Sequence, residues 1–262
     1  MLAAALAGIG ERAPAAVAVA GEPGIGKTAL LDELAAGAGD RGHLVLTGSA
    51  TELERDLPFS VFVDALDQHV EERAPDLTAR LAGSTRAELA GLLPALSGST
   101  VHSGVPLQHE RYRAHRAVRE LLELLATPSG LLLVLDDLHW ADPGSVELLA
   151  ALLRRPPAAP VLMALGLRPH QAPDRLSAAL ERAHRVGTLV RVEPTALGLD
   201  EARQLLGAAG TGDAAVELHR RSGGNPFYLQ QLARSPGASG PRSAGPALRD
   251  AGVPRAVAAA LA

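Results

Sequence analysis

The octet Gly-Glu-Pro-Gly-Ile-Gly-Lys-Thr at residues 21–28 constrains this chain more than any other stretch. It follows a short apolar run, Ala15 to Ala20, and opens a segment of helical character, Thr28 to Ala36. Its glycines let consecutive backbone N–H groups turn inward around an anion, and the start of a helix adds the positive end of its dipole. Lys27 is the only lysine in 262 residues, although 25 side chains are lysine or arginine. Arginine supplies positive charge everywhere else. Its broad planar guanidinium does not thread a narrow loop as a compact ammonium on a flexible stem does. The pattern therefore predicts a phosphate-binding loop formed by Gly21, Glu22, Pro23, Gly24, Ile25, Gly26, Lys27 and Thr28. In it Lys27 reaches the β- and γ-phosphates of a nucleotide such as ATP, and the Thr28 hydroxyl coordinates Mg²⁺.

The rest of the chain has the rhythm of an α/β fold. Short apolar runs at His43 to Thr47, Leu131 to Leu135, Val161 to Leu167 and Thr188 to Val192 alternate with helical patterns, which predicts a parallel sheet. Helices are expected at Ser60 to Glu72, Arg86 to Leu93, Gln108 to Ala126 and Ser145 to Leu153. In the third of these, Val118, Leu121, Leu122 and Leu125 share one face. Its charges, Arg113, Arg116, Arg119, Glu120 and Glu123, read as a solvated face rather than a binding patch. A small helical group follows at Asp200 to Gly207, Asp213 to Arg221 and Phe227 to Arg234, with Asp200 and Asp213 expected to cap the helices they open. The composition, 47% hydrophobic and 21% charged with a net charge of −4, suits a packed core. No cysteine excludes a disulfide framework, and no export signal or membrane span is read, so a cytoplasmic protein is expected.

The second chemical feature is Leu131 to Asp142, LLLVLDDLHWAD. An apolar strand ending in two acids is what a phosphate-binding loop needs opposite its lysine. Asp136 is then the metal support, directly or through water, and Asp137 polarises the attacking water; the alternative is that one or both acids cap the loop that follows. Arg168 follows the next strand, where its guanidinium either senses a γ-phosphate or is solvated. Gly223 to Tyr228, GGNPFY, places Pro226 at a helix start, which proline tolerates well, and carries no functional weight by itself.

GEPGIGKT, LLLVLDDLHWADPGS, the strand ending in Arg168-Pro169, and SGGNPFYLQQL, taken in this order, resemble the P-loop ATPase domain of STAND-class signalling NTPases. More narrowly they resemble the large ATP-binding regulators of the LuxR type and related AAA-like modules. ELERDLPFSVFVDAL at 52–66 resembles the stretch after that family's second strand. The resemblance spans roughly residues 15–234. It implies an α/β P-loop NTPase sheet of order 5-1-4-3-2, with the Arg168 strand between the P-loop strand and the acidic one. It also implies that Asp136 and Asp137 are metal support and catalytic base, Arg168 a sensor, and Pro226 a contact to the nucleotide from a small helical lid. Trp140, the only tryptophan, is either a packing anchor or a ligand contact.

The expected organisation is a P-loop ATPase core at 1–195 with a helical insertion at 56–126, a helical lid at 196–234, and a Gly/Pro-rich linker or tail at 235–262. The family's lead-in helix is shortened to Leu2 through about Gly10, and the chain reads as a fragment, a truncated product or a stand-alone module. The expected function is a slow Mg-ATPase switch. The alternatives are a non-hydrolysing nucleotide scaffold, or a truncated DNA-binding regulator whose effector domain is absent. Scattered arginines and the net charge of −4 argue against direct nucleic-acid binding by this chain. A protein partner or self-association is left open.

Overall fold

The computed structural model describes residues 15–97, 108–207 and 212–234. The lead-in segment from Leu2 to Gly10 and the Gly/Pro-rich stretch at 235–262 lie outside the described residues. The strands are β1 (Ala16–Ala20), β2 (Leu44–Ser49), β3 (Leu131–Asp136), β4 (Val161–Leu167) and β5 (Leu189–Val192). All pair in parallel in one sheet of order β2-β3-β4-β1-β5. β4 therefore lies between the strand that precedes the glycine-rich loop and the strand that ends in the acids, the order 5-1-4-3-2 that the resemblance implies.

By internal packing the described residues divide into two units. One comprises residues up to Ala20 together with Thr28–Val192, and the other comprises Gly21–Lys27 together with the residues from Glu193 onward.

The first unit holds the sheet. Successive side chains of a strand point to opposite faces, so β1, β3 and β4 each feed two cores. On one face Ala16, Ala18, Leu133, Leu135, Met163 and Leu165 pack with four helices. These are α2 (Ser60–Glu72), α5 (Gln108–Leu125), α6 (Pro143–Arg154) and α7 (Asp174–Arg185). On the other face Val17, Val19, Leu132, Val134, Leu162 and Ala164 meet Leu31, Leu34 and Ala38 of α1 (Lys27–Gly39). Burial on both faces explains why these strands read as unbroken apolar runs rather than alternating ones. At Gly48 of β2 an added Cβ would stand 2.3 Å from the Val61 carbonyl oxygen, so α2 lies directly on the strand's backbone.

Two short helices, α3 (Ala74–Arg80) and α4 (Gly83–Ala90), lie among the described residues between α2 and α5. The helix expected at Arg86 to Leu93 is therefore shifted toward the N-terminus, because Gly91 stops it and a 3₁₀ turn takes Pro94–Leu96. Val118, Leu121, Leu122 and Leu125 are buried on one face of α5. Its charges form ion pairs at the surface, Arg116 with Glu120 at 2.8 Å and Arg113 with Glu88 at 3.1 Å.

In the second unit α8 (Leu199–Leu206), α9 (Gly212–Ser222) and α10 (Pro226–Arg234) close around Ala202, Leu218 and Leu229. Asp200 and Asp213 do not cap these helices; each sits inside the first turn of its helix. Gly198 occupies the cap position of α8, and its N–H donates to the Glu201 carboxylate at 2.7 Å. An acid one turn in thus does the work expected of Asp200.

Candidate functional site

The loop 21–27 is shaped by its glycines. Gly24 and Gly26 take φ of +74° and +101°, a region that residues with side chains rarely adopt. Lys27 is only 7% exposed, and its Nζ donates to the carbonyls of Gly21 and Glu22 at 3.0 Å each. The ammonium is thus folded back over the loop that carries it. Within the same unit, Asn225 Nδ2 donates to the Pro23 carbonyl at 2.9 Å, and the Phe227 N–H donates to the Gly24 carbonyl at 3.2 Å. Pro226, between these two contacts, opens α10.

The sheet unit carries the acids. Thr28, the residue after Lys27, donates its hydroxyl to Asp136 Oδ2 at 2.7 Å. The other oxygen, Oδ1, accepts from the Asp137 N–H at 2.7 Å. This carboxylate lies over β4 where the chain has no side chain, since a Cβ on Gly166 would be 1.9 Å from Asp136 Oδ1. Asp137 adopts the left-handed conformation, φ +50°, which turns its side chain out of the strand direction and leaves it 38% exposed. The buried ring of His139 stands 3.8 Å from its carboxylate. Arg168 sits at the end of β4 and donates to Gln171 at 3.3 Å, while its Nε is buried with no hydrogen-bond partner among the described residues.

Trp140 packs against the apolar core and against the His139 ring, and the Arg55 guanidinium covers its face at 4.8 Å. These protein contacts favour the packing-anchor alternative. Among the described residues no group of three or more His, Asp or Glu is arranged to hold a metal ion. The residues that would hold a divalent cation here are Thr28 and Asp136, the latter directly or through water, and sparse protein ligation is usual for Mg²⁺.

Residues 1–164 match the AAA ATPase domain family. The chain belongs to that family. An uncharacterized protein of Rhizobium meliloti (strain 1021) is 29% identical over 147 residues. That match takes in 52% of this chain and 13% of the relative's length, so the chain spans a small part of that protein. Among solved structures, RuvB of Thermotoga maritima, the Holliday junction branch migration motor, is 17% identical with a TM-score of 0.45 over 89% of this chain and 58% of that one. The ORC1 protein of Aeropyrum pernix in complex with DNA is 18% identical with a TM-score of 0.47 over 88% and 56%. A STAND protein with a tetratricopeptide repeat sensor from Pyrococcus horikoshii is 17% identical with a TM-score of 0.42 over 87% and 28%.

Within this AAA ATPase domain the sheet brings the Thr28 hydroxyl to the Asp136 carboxylate, with Asp137 next in the chain. Three residues with structural claims on the site escaped the sequence reading. Gly166 makes room for Asp136, and nothing in VLMALGL distinguishes it from a glycine of convenience. Asn225 touches the loop 202 residues away in sequence, a pairing that no local pattern encodes. Asp142, the last residue of LHWAD, is 1% exposed. Its Oδ1 accepts from the N–H groups of Phe59 and Ser145 at 2.9 Å each, and its Oδ2 accepts from Ser60 N–H at 3.1 Å. One carboxylate therefore caps both α2 and α6. The signal was available for α6, as an acid directly before a proline at the first helical position.

Proposed function

We propose that this chain is the Mg-ATP-binding switch module of a STAND-type signalling ATPase, hydrolysing ATP slowly. The observation that carries the reading is the hydrogen bond from Thr28 to Asp136, because it joins the last residue of a phosphate-binding loop to the acidic end of a parallel strand. The residues fit the ligand. A hydroxyl that gives its proton to Asp136 keeps lone pairs free for a cation, and the buried, unpartnered Arg168 Nε offers a donor for an anion.

In this reading the backbone of Gly21 to Gly26, with Glu22, Pro23 and Ile25, wraps the phosphates, and Lys27 exchanges its two loop carbonyls for β- and γ-phosphate oxygens. Mg²⁺, when bound beside Thr28, supplies neutralisation of charge on the β- and γ-phosphate oxygens. Asp136 fixes the Thr28 hydroxyl and would support the metal directly or through water. Asp137 takes a proton from the water that attacks the γ-phosphorus as the bond to ADP breaks, and Arg168 meets the charge gathering on the transferred group. Pro226 contributes a contact to the nucleotide, as the resemblance implies. The helical group then reads out the nucleotide state for the rest of a longer regulator, of which transcription control in the LuxR manner is one case. Mg²⁺-dependent phosphate release by wild type and Asp137→Asn tests the reading. A rate in the variant equal to wild type removes Asp137 from the mechanism, and ATP binding with no release in wild type leaves a nucleotide-binding scaffold.

A further inference from the structure

We infer that Asn225 is a positioning residue for the phosphate-binding loop, orienting its peptide groups before any nucleotide arrives. This rests on the loop being a phosphate site. The two ends of the Asn225 amide are committed to different tasks. Oδ1 accepts from the N–H groups of Phe227 at 3.1 Å and Tyr228 at 3.4 Å and so caps α10. Nδ2 donates to the Pro23 carbonyl at 2.9 Å. The assignment of oxygen and nitrogen follows from that network, since the first end faces donors and the second an acceptor.

A trans peptide is planar and its C=O and N–H point in opposite directions. Holding the Pro23 carbonyl toward Asn225 therefore turns the Gly24 N–H the other way. Holding the Gly24 carbonyl toward the Phe227 N–H does the same for Ile25, whose own N–H makes a long 3.4 Å bond to the Glu22 carbonyl that an incoming acceptor readily replaces. Two successive carbonyls anchored on one side leave two successive N–H groups directed to the opposite side, the arrangement that receives an anion. The approach is close enough to demand glycine. A Cβ on Gly24 would lie 2.7 Å from Phe227 Cβ and 2.9 Å from Asn225 Oδ1. The GGNPF turn thus acts on the loop through the backbone, in addition to any contact of Pro226 with the nucleotide.

The test uses the full chain, with isothermal titration of Mg-ATP and of inorganic tripolyphosphate into wild type, Asn225→Ser, Asn225→Asp and Lys27→Ala. Serine keeps a neutral helix cap and is too short to reach Pro23; aspartate keeps the acceptor and loses the donor. We expect both Asn225 variants, folded by circular dichroism, to bind ATP and tripolyphosphate about fivefold or more weakly and by similar factors, as loss of one orienting hydrogen bond allows. Wild-type affinity in Asn225→Ser overturns the inference, and in that case weakening confined to Asn225→Asp reports only charge repulsion. Loss of ATP binding with tripolyphosphate unaffected also overturns it, by moving Asn225 to the nucleoside side. If wild type binds neither ligand, or binds both as Lys27→Ala does, the phosphate-site reading fails first and is identified as the cause.

Discussion

The Thr28 hydroxyl and the Asp136 carboxylate, 108 residues apart in the chain, are joined at 2.7 Å. The bond ties the first turn of α1 to the carboxyl end of β3, and β4 runs between β1 and β3 in the sheet. It forms because Gly166 of β4 presents no Cβ to the Asp136 oxygen.

Gly166→Ala should therefore behave as an Asp136 variant without altering Asp136. The added methyl collides with the carboxylate and with Leu31 Cδ1 at 2.8 Å, so Asp136 must leave its place and some stability is lost as well. We expect Mg-ATP affinity and phosphate release to fall about tenfold, ~1.4 kcal/mol each. Kinetics on folded Gly166→Ala beside Asp136→Ala check this, and wild-type Mg²⁺ dependence would refute the placement.

Lys27→Arg keeps the charge and should still impair ATP binding or turnover markedly, by about tenfold or more, because a guanidinium cannot occupy the small space beneath the Gly21 and Glu22 carbonyls. Titration of ATP followed by the fluorescence of Trp140, the only tryptophan, measures it. Near-normal affinity would mean the loop accepts any cation.

Asp142 is a stability residue beside a chemical motif. Asp142→Ala removes the cap of two helices and leaves several buried N–H groups unpaired, at a cost of about 2–4 kcal/mol. Asp142→Asn, which retains one acceptor oxygen, should cost less. Urea unfolding of both variants gives the comparison; equal loss in the two would show that charge rather than capping is at stake.

Two histidines set an acid limit. Burial is the main cause holding the His115 imidazole below its ordinary pKa of 6.5, opposed by Glu147 and aided by Arg154 and Arg111. His69 is lowered likewise, by burial and then by Arg73 against Glu72. The unfolded chain takes up these protons first, so their contribution is whole above about pH 6.5 and declines as the pH falls toward the folded values. The thermal midpoint should drop between about pH 7 and about pH 5, and the drop should be smaller in His115→Phe. An equal drop in the variant would assign the effect to other groups.

Much of the fold was legible because its signals are local. The bounds of Ser60–Glu72 and Val161–Leu167 follow from helical periodicity and from an unbroken apolar run. The α7 segment Asp174–Arg185 gives a weak local signal, since only Leu176, Leu180 and Ala183 carry its buried stripe. The cap of α8 falls at Gly198, two residues before Asp200, and Glu201 accepts from its N–H in place of an aspartate cap.

The sequence by itself determined the glycine-rich loop, the lone lysine and the acidic end of an apolar strand, since a strand, a turn and a helix start are each encoded within a few residues. Tertiary structure alone decided which distant groups complete them. Gly166 shelters Asp136, Asp142 reaches from α6 to the start of α2, and Asn225 meets the Pro23 carbonyl. Each depends on the order of strands or on packing between segments far apart in the chain, where a difference of one methyl group or one hydrogen bond leaves no local pattern to read.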